Sequence, residues 1–241
     1  WPAIPGSFIT TAFSLDHYLP SVSSGLGLLF VQDQAGSGNL RRTNIGAQYA
    51  YQFRLGKQWQ FRPGVQFYRT KNQIDFQKLV FNDQMSLNGT TPSSVEVPPL
   101  KKVAYTDFGI SMLGYTKNYW IGFSLDHLTE PNQSLIDGVS LVPKKISLFG
   151  GYKYYLNGRT SDYNEESITG VFHFKSQGKY DQLDIGAYWV KTPLVLGVWY
   201  RGIPLFKSYT TGYMNNDAFI ILAGYQWKEI KIGYSYDITI S

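Results

Sequence analysis

The segment Asp181–Arg201, with the sequence DQLDIGAYWVKTPLVLGVWYR, decides the fold. Apolar residues alternate with polar or small residues up to Lys191, and the alternation resumes at Leu194 after a tight connection at Lys191-Thr192. Because successive side chains of a β-strand point to opposite faces, this pattern predicts two strands, each with one apolar and one polar face.

The same alternation recurs along the chain and predicts twelve strands, most of them about 10 residues long. Soluble strands average about 5–6 residues, whereas a tilted strand that crosses a membrane needs about 9–11. The predicted strands are 7–18, 23–33, 41–54, 58–69, 102–114, 118–128, 144–156, 166–176, 181–190, 193–201, 216–227 and 229–240.

The connections between these strands are tight on one side, with 157–165 as the exception, and long on the other, where those after the second and eighth strands are of intermediate length. The long loops are 70–101, 129–143 and 202–215. Short turns on one side and long loops on the other are typical of an outer-membrane β-barrel with periplasmic turns and extracellular loops. We therefore expect an all-β fold: a transmembrane, antiparallel, up-and-down β-barrel.

Aromatic residues crowd the short-turn side, as expected for rings at a membrane interface. Cations follow them in the turns, where they can reach water or lipid headgroups. The rings are Tyr51, Phe53, Trp59, Tyr115, Tyr119, Trp120, Trp189, Tyr225 and Trp227, and the cations are Lys57, Lys117, Lys191 and Lys228.

The composition excludes several classes of protein. Of the 241 residues, 17% are aromatic, 16% are charged and none is cysteine, and the net charge is +5. Disordered chains are poor in aromatic residues, and without cysteine there is no disulfide, no thiolate zinc site and no cysteine nucleophile. There is no basic run typical of nucleic-acid binding and no apolar run of about 18 residues. A soluble β-sandwich or propeller is the alternative, but its outward face should be polar.

The strand parity adds an expectation about the barrel. If the short turns are periplasmic, the chain begins and ends outside, so we expect residues 1–241 to form a single barrel domain that lacks its first and last strands, twelve of fourteen. Alternatively, another chain supplies two strands. Pro63 falls within a predicted strand, and because proline cannot donate to the ladder we expect a bulge or kink there.

The sequence Phe-Ser-Leu-Asp-His occurs at 13–17 and again at 123–127, which raises the alternative of an outer-membrane lipid hydrolase. On a strand, however, Ser14 and Asp16 share a face while His17 points away, and no Gly-x-Ser-x-Gly turn surrounds either serine. Three scattered histidines without carboxylates at ligand spacing predict no metal site. We expect a protein that is not an enzyme, with no catalytic residue, metal or cofactor.

Two long loops carry apolar and cationic residues of the kind found in binding hot spots. The candidate partner-binding residues are Phe81, Met85, Leu87, Phe206, Lys207 and Tyr209. The same loops could instead pack on each other. Five residues are expected to face the lumen: Arg62, Asp126, His173, Arg201 and Asp237. With Tyr68, Trp120 and Trp199 also inside, we expect a narrow or plugged interior.

Five segments occur in order along the chain: Trp1-Pro2-Ala3, Phe13–Asp16, Ser24–Leu28, Gly46–Tyr51 and Gly233–Asp237. Together they resemble the PorP/SprF family of outer-membrane barrels, which is associated with type IX secretion and gliding motility in Bacteroidota. The family normally has a further strand at each end. The resemblance implies an outer-membrane location, partners among the secretion components and outer-membrane lipid, and a large exported adhesin bound, exported or anchored through its C-terminal domain. The alternative function is a channel or transporter for small or hydrophobic solutes.

Overall fold

The computed structural model describes residues 8–36, 38–75, 79, 81–86, 89–90, 102–136, 138–156, 165–203, 215–227 and 230–240. These residues form an antiparallel up-and-down sheet, so the predicted all-β class is confirmed. Within these ranges, no helix has the length and hydropathy of a membrane span.

Each of the twelve predicted strands is present, and most bounds agree within two residues. The strands are β1 Phe8–Leu19, β2 Ser24–Ala35, β3 Leu40–Tyr51, β4 Phe53–Leu55, β5 Trp59–Gln73, β6 Met85–Ser86, β7 Gly89–Thr90, β8 Val103–Tyr115, β9 Tyr119–Asp126, β10 Lys145–Tyr155, β11 Glu166–Gln177, β12 Tyr180–Lys191, β13 Leu194–Ile203, β14 Asn215–Trp227 and β15 Ile230–Thr239. The order in the main sheet is β1-β2-β3-β5-β8-β9-β10-β11-β12-β13-β14-β15, with β4 paired to β5, while β6 and β7 form a separate two-stranded sheet.

The chain divides into two compact units. Unit 1 comprises Trp1–Tyr51, Gly64–Ile110 and Asp126–Lys144, and unit 2 comprises Gln52–Pro63, Ser111–Leu125 and Lys145–Ser241. In each unit the strands alternate in direction, so connections gather at two ends. In unit 1 we call the end that carries the β1–β2 connection the short-turn end. In unit 2 the short-turn end carries the β4–β5, β8–β9, β10–β11, β12–β13 and β14–β15 connections. The opposite end of each unit is its long-loop end.

The sheet exposes its apolar face and buries polar residues, which inverts the arrangement of a water-soluble protein. On β13, for example, Leu196 is 47% exposed and Val198 is 59% exposed, while Gly197 between them is buried. Most of the fully buried side chains are polar, among them Thr70, Asp107 and Ser167. An exposed apolar band over a polar interior is what strands in lipid require.

On the polar face, aromatic rings lie over glycines of neighbouring strands. A Cβ atom added at any of these glycines would meet ring atoms at less than the normal contact distance. The pairs are Gly46 with Tyr68, Gly122 with Phe149, Gly151 with Trp120, Gly186 with Trp199 and Gly197 with Tyr188. Trp199 Nε1 also donates to Tyr188 Oη at 2.8 Å, which locks two of these rings together. Each ring therefore fills the space that the missing side chain leaves.

The expected bulge at Pro63 is not formed. The pairs Ala50↔Gly64 and Phe53↔Phe61 keep one register on either side of the proline, and the partner strand is merely interrupted at Gln52. A proline without an N–H removes a ladder bond but needs no inserted residue. The register shifts instead at Arg201/Gly202, where Asp217 is the extra residue between Asn216 and Ala218.

Rings at the short-turn end of unit 2 form a continuous row on the apolar face. Phe53 and Trp59 each stack on Phe61 with centroids 5.7 Å apart, and Trp59 meets Tyr119 edge-on at 5.2 Å. Tyr119 in turn lies 6.4 Å from Tyr152. The predicted crowding of rings at this end is thus present in β4, β5, β9 and β10. The side chain of Trp227, and Lys228, lie outside the described residues.

Glu165, which precedes β11 at the short-turn end, joins two connections of unit 2. Its Oε1 lies 2.6 Å from Lys153 Nζ, and its carbonyl accepts from the Thr192 N–H at 3.0 Å. Burial alone raises the pKa of Glu165, but bonds from Lys153 and Ser167 and the nearby charge of Lys231 outweigh it. The pKa therefore lies below its ordinary value of 4.5.

Because the folded state lowers this pKa, Glu165 adds stability above pH 4.5 that is lost as the pH falls through the folded-state pKa. Urea unfolding of the protein in lipid vesicles, measured from about pH 7 to about pH 3, is expected to show a stability difference between wild type and Glu165→Gln that shrinks on acidification. Glu130→Gln, at an exposed pair with Lys144, is the control. A difference independent of pH contradicts the assignment.

The glycine–ring pairs predict that Gly186→Ala destabilises the fold by about 1–3 kcal/mol, because the new methyl group forces the Trp199 ring to move. Gly170→Ala is the matched control, since no atom lies within 4 Å of its added Cβ. Urea midpoints of both variants in vesicles check this. Equal midpoints would show that the ring moves without cost.

Candidate functional site

A cavity of about 490 Å³ opens at the long-loop end of unit 2. We call it the Arg201 cavity. The strands β10 to β14 supply its walls, because their polar faces turn to the same side. Cations, carboxylates and amides line it, among them Lys145, Lys175, Asp181, Gln182, Arg201 and Asp217.

Asp184 anchors the charges beneath this cavity. Its side chain is 9% exposed, and it accepts from Arg201 Nε at 3.2 Å, Lys175 Nζ at 3.4 Å and Gln182 Nε2 at 2.9 Å. A buried carboxylate is tolerated only when such donors surround it. Asp184 thus fixes two cations from β11 and β13 at set positions in the cavity wall.

Arg201 connects this buried pair to two more exposed carboxylates. Its Nη1 lies 3.3 Å from Asp237 Oδ2 on β15 and 4.0 Å from Asp217 Oδ2 on β14. Asp217 is the extra residue of the β14 bulge, and bulges commonly redirect a side chain at a functional site. The mixture of fixed charges, some still half exposed, can bind charged groups of a partner.

His173 lies on the same polar face, opposite Asp184 in the register between β11 and β12. Its ring meets Phe149 edge-on with centroids 6.0 Å apart. The structure therefore brings the predicted residues His173, Arg201 and Asp237 into one region of unit 2, on the polar face.

Unit 1 holds a second polar cluster, built around two carboxylates. Asp126 accepts from Gln66 Nε2, and Tyr68 Oη donates to Gln66 Oε1 at 2.5 Å. Asp107, whose side chain is 2% exposed, bonds His127 Nδ1 and accepts from Thr129 Oγ1 at 2.8 Å. This cluster fixes the start of the β9–β10 loop, where His127 adopts a φ of 59°.

The two Phe-Ser-Leu-Asp-His segments differ in where their histidines lie. In the first, Asp16 pairs with Gly27 while His17 pairs with Leu26 on the other face. In the second, His127 bonds Asp107 of β8. The described residues contain no group of three His, Asp or Glu side chains that could hold a metal ion.

Arg62 lies near the short-turn end of unit 2, where its Nε and Nη2 donate to Gln52 Oε1 at 2.8 and 2.6 Å. Phe81 precedes a 3₁₀ turn, Asn82–Gln84, and its N–H donates to Gln84 Oε1 at 2.9 Å. Met85 is 61% exposed. The other predicted partner-binding residues, Leu87, Phe206, Lys207 and Tyr209, lie outside the described residues.

Sequence reasoning missed Asp107 and Asp184 as the anchors of the two clusters. Each is a carboxylate at a polar-face position of an alternating strand. This position in the sequence pattern could have marked both residues as candidates. Which cations and hydroxyls would surround it depends on strand register, which the sequence does not state directly.

A long-stranded antiparallel sheet with an exposed apolar face defines the class: this is a β-sheet membrane protein of the outer-membrane type. A family model described as "Type IX secretion system membrane protein PorP/SprF" matches residues 1–241, so the chain belongs to the PorP/SprF family. No curated protein matches the chain significantly. The family is one of secretion-system membrane proteins and not of enzymes.

The buried network predicts that Arg201→Met destabilises the protein by about 2 kcal/mol, because Asp184 loses a charged donor. In the Asp184→Asn background the same change is expected to cost much less, since the two residues are coupled. Lys144→Met, which breaks an exposed pair, is the control and is expected to change stability by less than about 1 kcal/mol. Additive losses in a urea double-mutant cycle would contradict the pairing.

Proposed function

We propose that this protein binds a large exported surface adhesin, through the adhesin's C-terminal domain, at the long-loop end of the barrel. The family match along the whole chain carries the proposal, because the family's membership in type IX secretion implies a protein partner on an export route. The same match also implies that other components of the type IX secretion system are partners of this protein.

The Arg201 cavity supports this function. Its charges are held in place by Asp184, so a partner does not have to order them, and preorganised groups lose less entropy on binding. The half-exposed carboxylates of Asp217 and Asp237 remain accessible to a cationic or hydrogen-bonding partner.

The β9–β10 loop, which follows Asp126 in unit 1, also supports it. Asn132 organises this loop, because its Oδ1 accepts from the Ser134 and Ser140 N–H groups at 3.1 and 2.9 Å. Ile136 and Val139 nevertheless remain 62% and 81% exposed. Exposed apolar side chains on an ordered loop are typical of protein-binding surfaces.

The proposal places the long-loop end outside the cell and the short turns in the periplasm, as is general for outer-membrane barrels. In this orientation the Arg201 cavity lies at the extracellular end of unit 2, and the β9–β10 loop and Met85 lie at the extracellular end of unit 1. On this proposal the polar faces turn to the lumen, with Asp126 on that of unit 1 and Arg62, His173, Arg201 and Asp237 on that of unit 2.

A photo-crosslinking amino acid placed at Val139 or Met85 is expected to capture a large exported surface protein in living cells, because both positions are exposed at the long-loop end. Val22, 55% exposed in the β1–β2 turn, is the matched control and is expected to give no such product. Mass spectrometry of the crosslinked bands identifies the partner.

Two outcomes would contradict this function. One is a surface protein captured at Val22 and at neither long-loop position, which would reverse the orientation. The other is no capture anywhere combined with steady ion conductance of the purified protein in planar bilayers, which would favour the solute channel.

A further inference from the structure

Exposed cations gather at the short-turn end of unit 2. The described carboxylates at this end are Glu165, which is bonded to Lys153, and Glu166. The exposed cations are Arg54, Lys57, Arg62, Lys117, Lys191 and Lys231.

The long-loop end of the same unit shows no such excess. Its described charged residues are four cations and four carboxylates: Lys145, Lys175, Lys179 and Arg201 with Asp181, Asp184, Asp217 and Asp237. The positive charge of unit 2 is therefore concentrated at one end.

Three of these cations, Lys57, Lys117 and Lys191, follow the edge of the sheet, one at each of three connections. Arg54 and Lys231 lie on the polar face, opposite Gln60 and Gln226. Backbone contacts join the connections: the Lys153 N–H donates to Asn118 O at 2.7 Å, and the Thr192 N–H donates to Glu165 O at 3.0 Å. Within the described part of the chain, no carboxylate pairs with Arg54, Lys57 or Lys117. Lys191 lies 3.9 Å from Glu166 and is still 60% exposed.

The row of rings described above fixes the level of these cations relative to the membrane. Lys57 is two residues before Trp59, and Lys117 is two residues before Tyr119. Trp and Tyr rings on the apolar face settle at the boundary between hydrocarbon and headgroups. Cations two residues farther from the membrane centre than the rings therefore lie at the level of the lipid phosphates, which the long side chains of lysine and arginine can reach.

We propose that this edge, defined by Lys57, Lys117 and Lys191, binds anionic phospholipid headgroups in the adjacent leaflet. The ligand chemistry is a phosphodiester with a net negative charge, such as phosphatidylglycerol, in preference to a zwitterionic phosphatidylcholine. A row of exposed cations at the headgroup level fits a lipid surface, because a fluid leaflet can supply one headgroup to each connection. The inference does not depend on the proposed adhesin binding.

The test uses the full-length protein reconstituted into phosphatidylcholine vesicles that contain brominated phosphatidylglycerol or brominated phosphatidylcholine. Quenching of tryptophan fluorescence, with Trp59 next to the edge, gives the relative association constant of the two lipids. We expect phosphatidylglycerol to be preferred, and we expect the Lys57→Gln/Lys117→Gln variant to lower that preference by about twofold or more. Sodium chloride at about 0.5 M should lower it similarly by screening.

The matched control is Lys71→Gln/Lys102→Gln, which removes the same charge from exposed lysines at the long-loop end of unit 1. It should leave the preference unchanged, and millimolar inorganic phosphate should not compete, because a free ion lacks the membrane anchor. Equal quenching by the two lipids in the wild type would overturn the proposal and would favour an acidic protein as the partner of this edge. Equal loss in both double variants would also overturn it, since net charge alone would then explain the preference.

Discussion

The need to pair every backbone N–H and C=O group inside a hydrocarbon layer governs this structure. No water competes there, so a strand that crosses the layer must bond to neighbours along its length. The long unbroken registers meet that need: β1 and β2 pair from Phe8↔Ala35 to Leu19↔Ser24, and β11 and β12 pair from Glu166↔Lys191 to Gln177↔Tyr180. Among the described residues, β1 and β15 are the two end strands of the main sheet.

A second consequence is that apolar side chains do little to specify the fold. Leucine and isoleucine on the exposed face meet lipid tails in the folded protein, so their burial against protein is not the driving force. Specificity comes instead from the polar face. There Asp107 and Asp184 each gather donors from neighbouring segments, and rings fit over glycines.

Alternation alone predicts the strands closely, because the period of two is imposed on each residue of a strand that has lipid on one side and polar groups on the other. The predicted 181–190 became Tyr180–Lys191, for example. Pro63 and Asp217 show where the pattern fails. A missing donor can be absorbed by interrupting the partner strand, whereas the β14 bulge depends on how β13 and β14 align. The partners of Asp184 come from positions 175 and 201, and only the register brings them together.

The glycine–ring pairs have an evolutionary consequence. The space over Gly186 exists only because the residue has no side chain, and the Trp199 ring occupies it. A larger residue at one position is tolerable when a smaller one replaces its partner on the next strand. Among related sequences, positions 186 and 199, like positions 151 and 120, should therefore change together and not independently. Such correlated changes would record the strand register of this sheet in sequence data alone.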